Sequence, residues 1–383
     1  MMKSRSLIAL TTSALALPGI TSTANADSPP TESSFGYRVS TYEEDNLPEE
    51  FLFLGDPERY DITIHQFQLV TPVGENYGLT LSSSYESMSG ASPWYALPVF
   101  EGEKSIVMSG ATIHEQRRDY NLSLRRYQDN GNYAFSIGTS RENDYYSWSG
   151  GFDIARNFNN DLATIAGGVS VSNDDINPTD AALFNRVTDE SKRTSSAFVS
   201  VSQIIDQNSL FQSSLNMTRH KGFLTDPYKL GDTRPDSRTQ WAWSNAYRRF
   251  VNSLDAALHL DVRFYNDDFG VNSLTLNAAW YQNLGDNWQI TPSIRYYSQS
   301  AADFFTPVND FSLYGVPNSS DYRLASYGAV SGGLQVQTFI DDMSLVFKIE
   351  RYVTDADYSI HNGQSSPALV NFTRMSLGVS YTF

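Results

Sequence analysis

The chain has 383 residues, with 27 Lys+Arg against 43 Asp+Glu for a net charge of −16, no cysteine, and 23 Tyr, 22 Phe and 6 Trp. An acidic chain without a Lys/Arg stripe repels a phosphate backbone, which excludes a nucleic-acid partner, and zero cysteine removes thiolate catalysis, thiolate metal sites and disulfide staples together. Only 40% of residues are apolar, so something other than a large soluble core has to organise the chain.

At the start, Lys3 and Arg5 precede an apolar stretch from Leu7 to Ile20, and Ala24-Asn25-Ala26 offers small residues before Asp27. That order predicts a secretory signal peptide over residues 1–26 and a mature single domain over 27–383. Losing Lys3 and Arg5 takes the net charge from −16 to −18. The apolar stretch is too short, and too broken by Pro18 and Gly19, for a membrane-spanning helix.

From about Gly36 onward the pattern has period 2, with apolar residues alternating with small or polar ones. Sixteen segments follow in chain order, at 36–44, 60–72, 76–87, 111–127, 132–143, 148–158, 161–173, 192–205, 208–220, 237–250, 253–265, 271–283, 287–299, 323–339, 343–354 and 370–383. The first two are interrupted by Glu43, Glu44, Asp45 and Pro48, so the count is 14 to 16. Many segments hold the alternation for ten to fourteen residues, the reach of a tilted strand across hydrocarbon and longer than soluble strands run.

Tight turns rich in Gly, Asn and Asp, such as Gly74-Glu75-Asn76, Asp129-Asn130-Gly131 and Gly285-Asp286-Asn287, alternate with longer polar connections near 45–59, 88–110, 174–191, 221–236, 300–322 and 355–369. Short turns at one end and long loops at the other predict an all-β transmembrane antiparallel up-and-down barrel of about 16 strands, with the turns periplasmic and the loops extracellular. Trp241, Trp243, Tyr247, Trp280, Trp288, Tyr296 and Tyr381 lie near strand ends or on the apolar face, where rings favour the membrane interface.

Parity assigns the other face to the lumen. Its candidates are Glu115, Arg117, Asp119 and Arg125 on one strand, Asp255, His259, Asp261 and Arg263 on another, and Arg295, Lys348 and Glu350 elsewhere. Opposite charges alternate among them, which suits either a water-filled pore that screens solutes by polarity or a narrow barrel filled by salt bridges. The 88–110 connection, stiffened by Pro93 and Pro98 around Trp94, is the candidate constriction or lid. The acidic stretches Glu43-Glu44-Asp45, Asp174-Asp175, Asp267-Asp268 and Asp355/Asp357 could gather Ca²⁺ or Mg²⁺ and are read instead as a solvated outer rim. His361-Asn362-Gly363 with Ser365 and Ser366 is the nearest approach to a hydrolytic constellation, in a polar loop.

The last segment alternates Leu377, Val379, Tyr381 and Phe383 with Ser376, Gly378, Ser380 and Thr382. Gly378, Tyr381 and Phe383 resemble the assembly signal of bacterial outer-membrane barrels, one apolar edge that an insertase can template by strand pairing. GASPW (90–94), LTDPYKLGDTRPDSRTQWAWSNAYRRF (224–250) and the closing SSDYRLASYGAVSGGLQVQTF, ERYVTDADYS and PALVNFTRMSLGVSYTF resemble the bacterial family catalogued as domain of unknown function 3570, with PDSR and SDYRL the most distinctive parts. The resemblance implies a Gram-negative outer-membrane barrel and no reaction.

The functional expectation is therefore a non-enzymatic barrel that gives a channel or porin-like passage to a small solute. The alternatives are a scaffold or partner barrel for an envelope secretion or redox complex, and an outer-membrane hydrolase acting on lipid or peptide. No catalytic residue, metal ligand or cofactor is assigned. The expected partners are outer-membrane lipids and lipopolysaccharide and the barrel-assembly machinery, with a periplasmic partner and the oligomeric state open.

Overall fold

The structure is a computed structural model and describes residues 28–98, 104–109, 113–310, 312–313 and 315–383; the expected leader, residues 1–26, lies outside the described residues. Sixteen strands close into an antiparallel barrel. In chain order they are β1 (Ser34–Glu44), β3 (Asp61–Val73), β4 (Tyr77–Gly90), β7 (Ile113–Gln128), β8 (Gly131–Arg141), β9 (Tyr145–Phe158), β10 (Ala163–Ile176), β11 (Glu190–Asp206), β12 (Ser209–Gly222), β13 (Ser237–Val251), β14 (Ala256–Asp267), β15 (Asn272–Leu284), β16 (Trp288–Gln299), β17 (Tyr327–Ile340), β18 (Met343–Asp355) and β19 (Phe372–Thr382). Three short strands, β2 (Leu52–Leu54), β5 (Pro93–Pro98) and β6 (Lys104–Met108), form a separate sheet in the order β2-β6-β5.

Each strand of the barrel is paired on both sides, so every ladder has a partner inside the membrane and no sheet edge faces lipid. Closure is made by β1 and β19, from Ser34 opposite Thr382 to Glu44 opposite Phe372, and it continues past the strands in the paired backbone bonds of Ser33 and Phe383, 2.9 and 2.8 Å. Gly378, Tyr381 and Phe383 therefore lie at the seam, with the Tyr381 and Phe383 rings stacked at 5.9 Å on the outer surface.

Alternation sorts the faces as the period-2 pattern predicts. Ile137, Val169 and Ile294 are 62%, 58% and 59% exposed on a surface that carries Phe135, Val199, Trp243, Phe264 and Phe347 as well; that surface is the lipid face. At the short-turn end, residues that tolerate positive φ do the reversing: Asn159, Asn160 and Asp161 at 54°, 54° and 65°, and Asp341 at 50°. Asp255 belongs to this group, with φ 46° after a single 3-10 turn over Asn252–Leu254. Its expected place on a lumen strand is thus corrected: β14 begins one residue later, and the left-handed backbone that the turn requires is one that Asp accepts more readily than most residues.

A small apolar core of Phe250 and Ala257 with Tyr281 lies within the barrel, and the two larger ones lie above it. One joins Leu47, Ala91, Ala96, Ile106, Met108 and Ala368, with Phe51, Leu52 and Tyr322 against it; the other joins Phe269, Val271, Ala302, Phe305, Leu324 and Ala325. Five long connections contribute to them, so the outer loops fold as a cap. Gly90 marks the exit from β4 into the cap: its φ is +119°, and a Cβ there would come within 2.2 Å of the Arg59 carbonyl oxygen.

Candidate functional site

Three separate stretches of the cap meet in a knot of charges. Asp321, whose side chain has no exposed surface, caps the 3-10 turn Tyr322–Leu324 by accepting from the Arg323 backbone N–H. It also accepts from Arg234 Nη2 at 2.8 Å and from Arg323 Nε at 2.8 and 2.9 Å. Arg234 Nε reaches Asp232 at 2.8 Å, Arg323 Nη2 reaches Asp226 at 2.8 Å, and Ser319 Oγ donates to Asp232. Lys229 Nζ donates to the Pro93 carbonyl at 2.7 Å, and the Leu230 N–H to the Trp94 carbonyl at 3.1 Å. Asn309 ties the same place together, its Oδ1 accepting from the Ala96 N–H and its Nδ2 donating to the Leu230 carbonyl, both at 2.8 Å.

Three cations and three carboxylates balance, which is the condition under which buried charge is tolerated. Burial alone would push Asp321 up, but Lys229, Arg323 and Arg234 outweigh it and hold the carboxyl far below the ordinary Asp value. Asp232 goes the other way, raised because burial outweighs Arg234 and Ser319. Lys229 is lowered by burial against the pull of Asp321 and Asp226.

The segments that carry the family resemblance, GASPW, the run through PDSR and SDYRL, converge at this knot, which no spacing in the sequence could announce. The candidate lid residues are in it: Pro93, Trp94 and Pro98 form β5, held by Lys229, Leu230 and Asn309. A second clamp on the cap is Arg59, which pairs with Glu44 at 2.9 Å, donates to the Ala368 carbonyl at 3.0 Å and lies 5.1 Å from the centre of the Tyr322 ring.

Below the cap, the lumen has two unlike walls. On β7 to β11 the registers stack three rows of inward residues. The upper row runs Asp119, Ser140, Ser147, Asp174, Lys192; the next Asn121, Gly138, Ser149, Ser172, Thr194; the third Ser123, Ser136, Gly151, Ser170, Ser196. A polar cavity of about 350 Å³ lies against the upper two rows, lined also by Arg117 and Tyr145. Its charges are paired loosely: Arg117 is 3.8 Å from Asp119 and 3.7 Å from Glu142, and Lys192 is 3.3 Å from Asp174, which also accepts from Ser147 at 2.6 Å. Arg117 and Asp119 stay 43% and 36% exposed. Glu115 faces the same mouth and accepts from the Asn143 N–H at 2.9 Å; with Glu142 and Asp144 it forms a cluster of carboxylates. Arg125, lower on β7, is bound to Asp153 at 2.8 Å and Asn132.

The wall from β13 to β18 pairs its charges more closely at Arg248, although Arg263 is exposed and the Lys348 side chain keeps 41% of its surface open. Arg248 and Asp261 pair at 2.5 Å, with Asn277 donating to the same carboxylate at 3.0 Å. His259 is buried against the Tyr281 ring, centroids 4.1 Å apart, so it lines the wall without reaching the opening. Arg263 stacks over Tyr265 at 5.9 Å, Arg295 lies between Asn277 and Ser331, and Lys348 is 3.6 Å from Glu350, which accepts from Ser331 at 3.0 Å.

The solvated-rim reading of the acids is overturned at three buried positions. Glu44 holds Arg59, Asp174 holds Lys192, and Asp267 holds Arg238 at 2.5 Å while accepting the Phe269 and Val271 N–H groups at 3.0 and 2.9 Å, whereas Asp45 stays exposed in its pair with Arg351. Sequence reasoning missed Asp174, Lys192, Arg238 and Arg248 as inward residues, although their parity within the strands marks each. The His361 loop is strapped over β16, with Tyr296 Oη donating to the Tyr358 carbonyl at 2.6 Å and the Ile360 N–H to Ser298 Oγ at 3.0 Å.

Comparison with known proteins agrees with this architecture. A family profile described as protein of unknown function (DUF3570) matches residues 7–383. No curated protein matches the chain in sequence. Among solved structures, a bacterial polysaccharide outer-membrane secretin superimposes with a TM-score of 0.53 at 10% identity, covering 92% of this chain and 98% of that one. CdiB from Acinetobacter baumannii superimposes with a TM-score of 0.54 at 10% identity over 92% of this chain, which spans 60% of the length of CdiB. At such identities the likeness is one of fold, that of an outer-membrane β-barrel.

Proposed function

From a chain that belongs to the family of proteins of unknown function DUF3570 and folds as an outer-membrane barrel, we propose a non-enzymatic, capped passage for a small polar solute. The observation that supports this most directly is the cavity against β7 to β11, where hydroxyl groups and accessible charges of both signs remain beside a cap that packs over the rest of the mouth. Ser and Thr hydroxyls replace lost water partners for a hydrated solute without a fixed charge. Arg117 with Asp119, and Lys192 with Asp174, set up a transverse field and no single-sign track, which suits a hydroxylated or zwitterionic solute better than a simple ion.

In this reading the chain is exported behind a cleaved leader, residues 1–26, and inserted by the assembly machinery through its last strand. The test is single-channel conductance of the folded mature barrel in a planar bilayer, with heat-modifiable gel migration as the folding control. Discrete open levels that shift selectivity on charge reversal at Arg117 are expected. A folded but silent barrel would sink the passage and leave a scaffold or an enzyme.

A further inference from the structure

The charged groups inside the barrel and in the cap are largely matched, but a set on its outer surface is not. On β11 and β12, Arg193 faces Lys221 in direct register, and Arg219 lies two pairs further in on the same face, opposite Ser195. All three belong to the lipid-facing alternation, directly above Ala197, Met217 and Leu215, and all three are exposed. On β7 and β8, Arg118 and Arg141 are likewise in direct register, above Tyr120 and Leu122, and exposed. Among the described residues, none of the five is joined to a carboxylate. The flanking acids lie further from the apolar belt, Asp175 on β10 two pairs beyond the level of Arg193 and Asp236 one residue before Ser237, the partner of Lys221 on β13.

The level of these cations is set by the rings around them. Tyr146 is in register with Arg141, Trp148 follows it, and Trp241 lies opposite Met217, all three between 43% and 49% exposed. Amphipathic rings collect where hydrocarbon meets headgroups, so the cations sit at headgroup depth on the long-loop, outer side. The arrangement is not the default for this barrel, since the lipid-facing Arg351, at the same long-loop end but on β18, is held by both oxygens of Asp45, at 2.7 and 2.5 Å. Like charges placed side by side on a strand pair repel unless an anion lies between them, and guanidinium groups match phosphate oxygens in bidentate fashion.

We propose that Arg193, Arg219 and Lys221 form one clamp, and Arg118 with Arg141 a second, for the phosphate groups of an anionic glycolipid of the outer leaflet. At about 4.8 Å per strand, the three steps from β8 to β11 separate the clamps by roughly 14 Å, so each takes its own phosphate.

The experiment titrates the full folded barrel in neutral detergent with purified lipopolysaccharide, counting bound glycolipid by native mass spectrometry. R193Q/R219Q/K221Q is expected to weaken binding on the order of 100-fold and R118Q/R141Q about tenfold or more, each with unchanged heat-modifiable migration. R126Q, which removes a lipid-facing cation from the short-turn end, is expected to bind as the parent does. Dephosphorylated lipopolysaccharide is expected to bind weakly to all. Parent-like binding by both multiple variants, or an equal loss in R126Q, overturns the clamps. Equal competition by phosphatidylglycerol vesicles overturns the glycolipid assignment, and displacement by millimolar inorganic phosphate makes them sites for free phosphate instead.

Discussion

The cap and the β7 to β11 wall use the same kinds of residue to opposite ends. In the cap, Arg234 and Arg323 are matched against Asp226, Asp232 and Asp321 at hydrogen-bonding distance, with Lys229 held on the Pro93 carbonyl beside them and apolar clusters around, so the charges fasten three distant segments into one body. On the wall, Arg117 and Asp119 stand 3.8 Å apart with much of each side chain in the open lumen, where Coulomb attraction is screened and worth little to stability. What separates structure from function here is closeness of pairing more than residue type, since Arg323 of the cap is itself 55% exposed but held on two carboxylates.

The most severe way to break that comparison is Asp321→Asn. The change leaves Arg234 and Arg323 facing a neutral amide in a buried place, and removal of one partner from a buried network costs about 3–5 kcal/mol. Because the barrel ladders do not depend on the knot, the loss is expected in the cap alone. Protease nicking within 223–236 and 300–326 should appear, with larger conductance steps and unchanged heat-modifiable migration. If the barrel itself unfolds instead, the cap and the barrel are one cooperative unit.

A paired substitution sharpens the contrast between the walls. Arg248→Gln strips Asp261 of its charge partner at a shielded point of the β13 to β18 wall and is expected to cost about 2–3 kcal/mol, since Asn277 still donates to the carboxylate; thermal unfolding in detergent reads it, and ion selectivity should not move. Arg117→Glu is expected to change stability by less than about 0.5 kcal/mol yet shift the reversal potential toward cations. The opposite assignment of the two effects would mean that the pathway follows the β13 to β18 wall.

Most of the barrel was legible in the sequence, because alternation with a period of 2 is a local signal repeated over ten or more residues and the reversals fall at Asn, Asp and Gly. Asp255 failed for an instructive reason: its parity was that of the lumen face, but parity does not say where a strand ends, and a left-handed residue was needed there. The lumen candidates on β7 are where alternation puts them, while His259 and Arg248 show that facing inward is not the same as lining an opening. The cap was not legible, since Pro93, Lys229 and Asp321 come together across more than 200 residues with no periodicity to link them. The unmatched cations on β7, β8, β11 and β12 were hidden by the expectation that charge belongs on the inner face.

Acid should act on the cap before the wall. Asp321 is held well below its ordinary value, so the stability it contributes is present above the unfolded Asp value, about 3.9, and is lost as pH falls through the lower folded value. Asp232, raised by burial, works against the cap once ionised, and protonating it relieves that cost; Lys229, lowered by burial, is relieved when it gives up its proton. The knot contains no histidine. Larger conductance steps and nicking of the cap are therefore expected on acidification below about pH 4, where Asp321 loses its contribution. Cap opening already near pH 6.5 would mean that a group other than Asp321 controls it.

The smallest expected effect lies where cap and wall touch. Tyr228, in the cap, donates its hydroxyl hydrogen to Asp144 beside the cavity mouth and accepts from the Thr179 N–H at 3.0 Å. Burial and the Asp144 carboxylate push its phenol up to about 12, so it remains a donor at every pH at which the protein works. Tyr228→Phe keeps the ring against Arg186, 4.6 Å from the guanidinium carbon, and removes only the hydroxyl, a loss of about 1 kcal/mol. With the knot intact, that is too little to release the cap and enough to let its edge fluctuate above Arg117. Single-channel records should show noisier open levels of unchanged mean conductance. A clean new open level in Tyr228→Phe would mean that this tether, and not the charge knot, sets the width of the mouth.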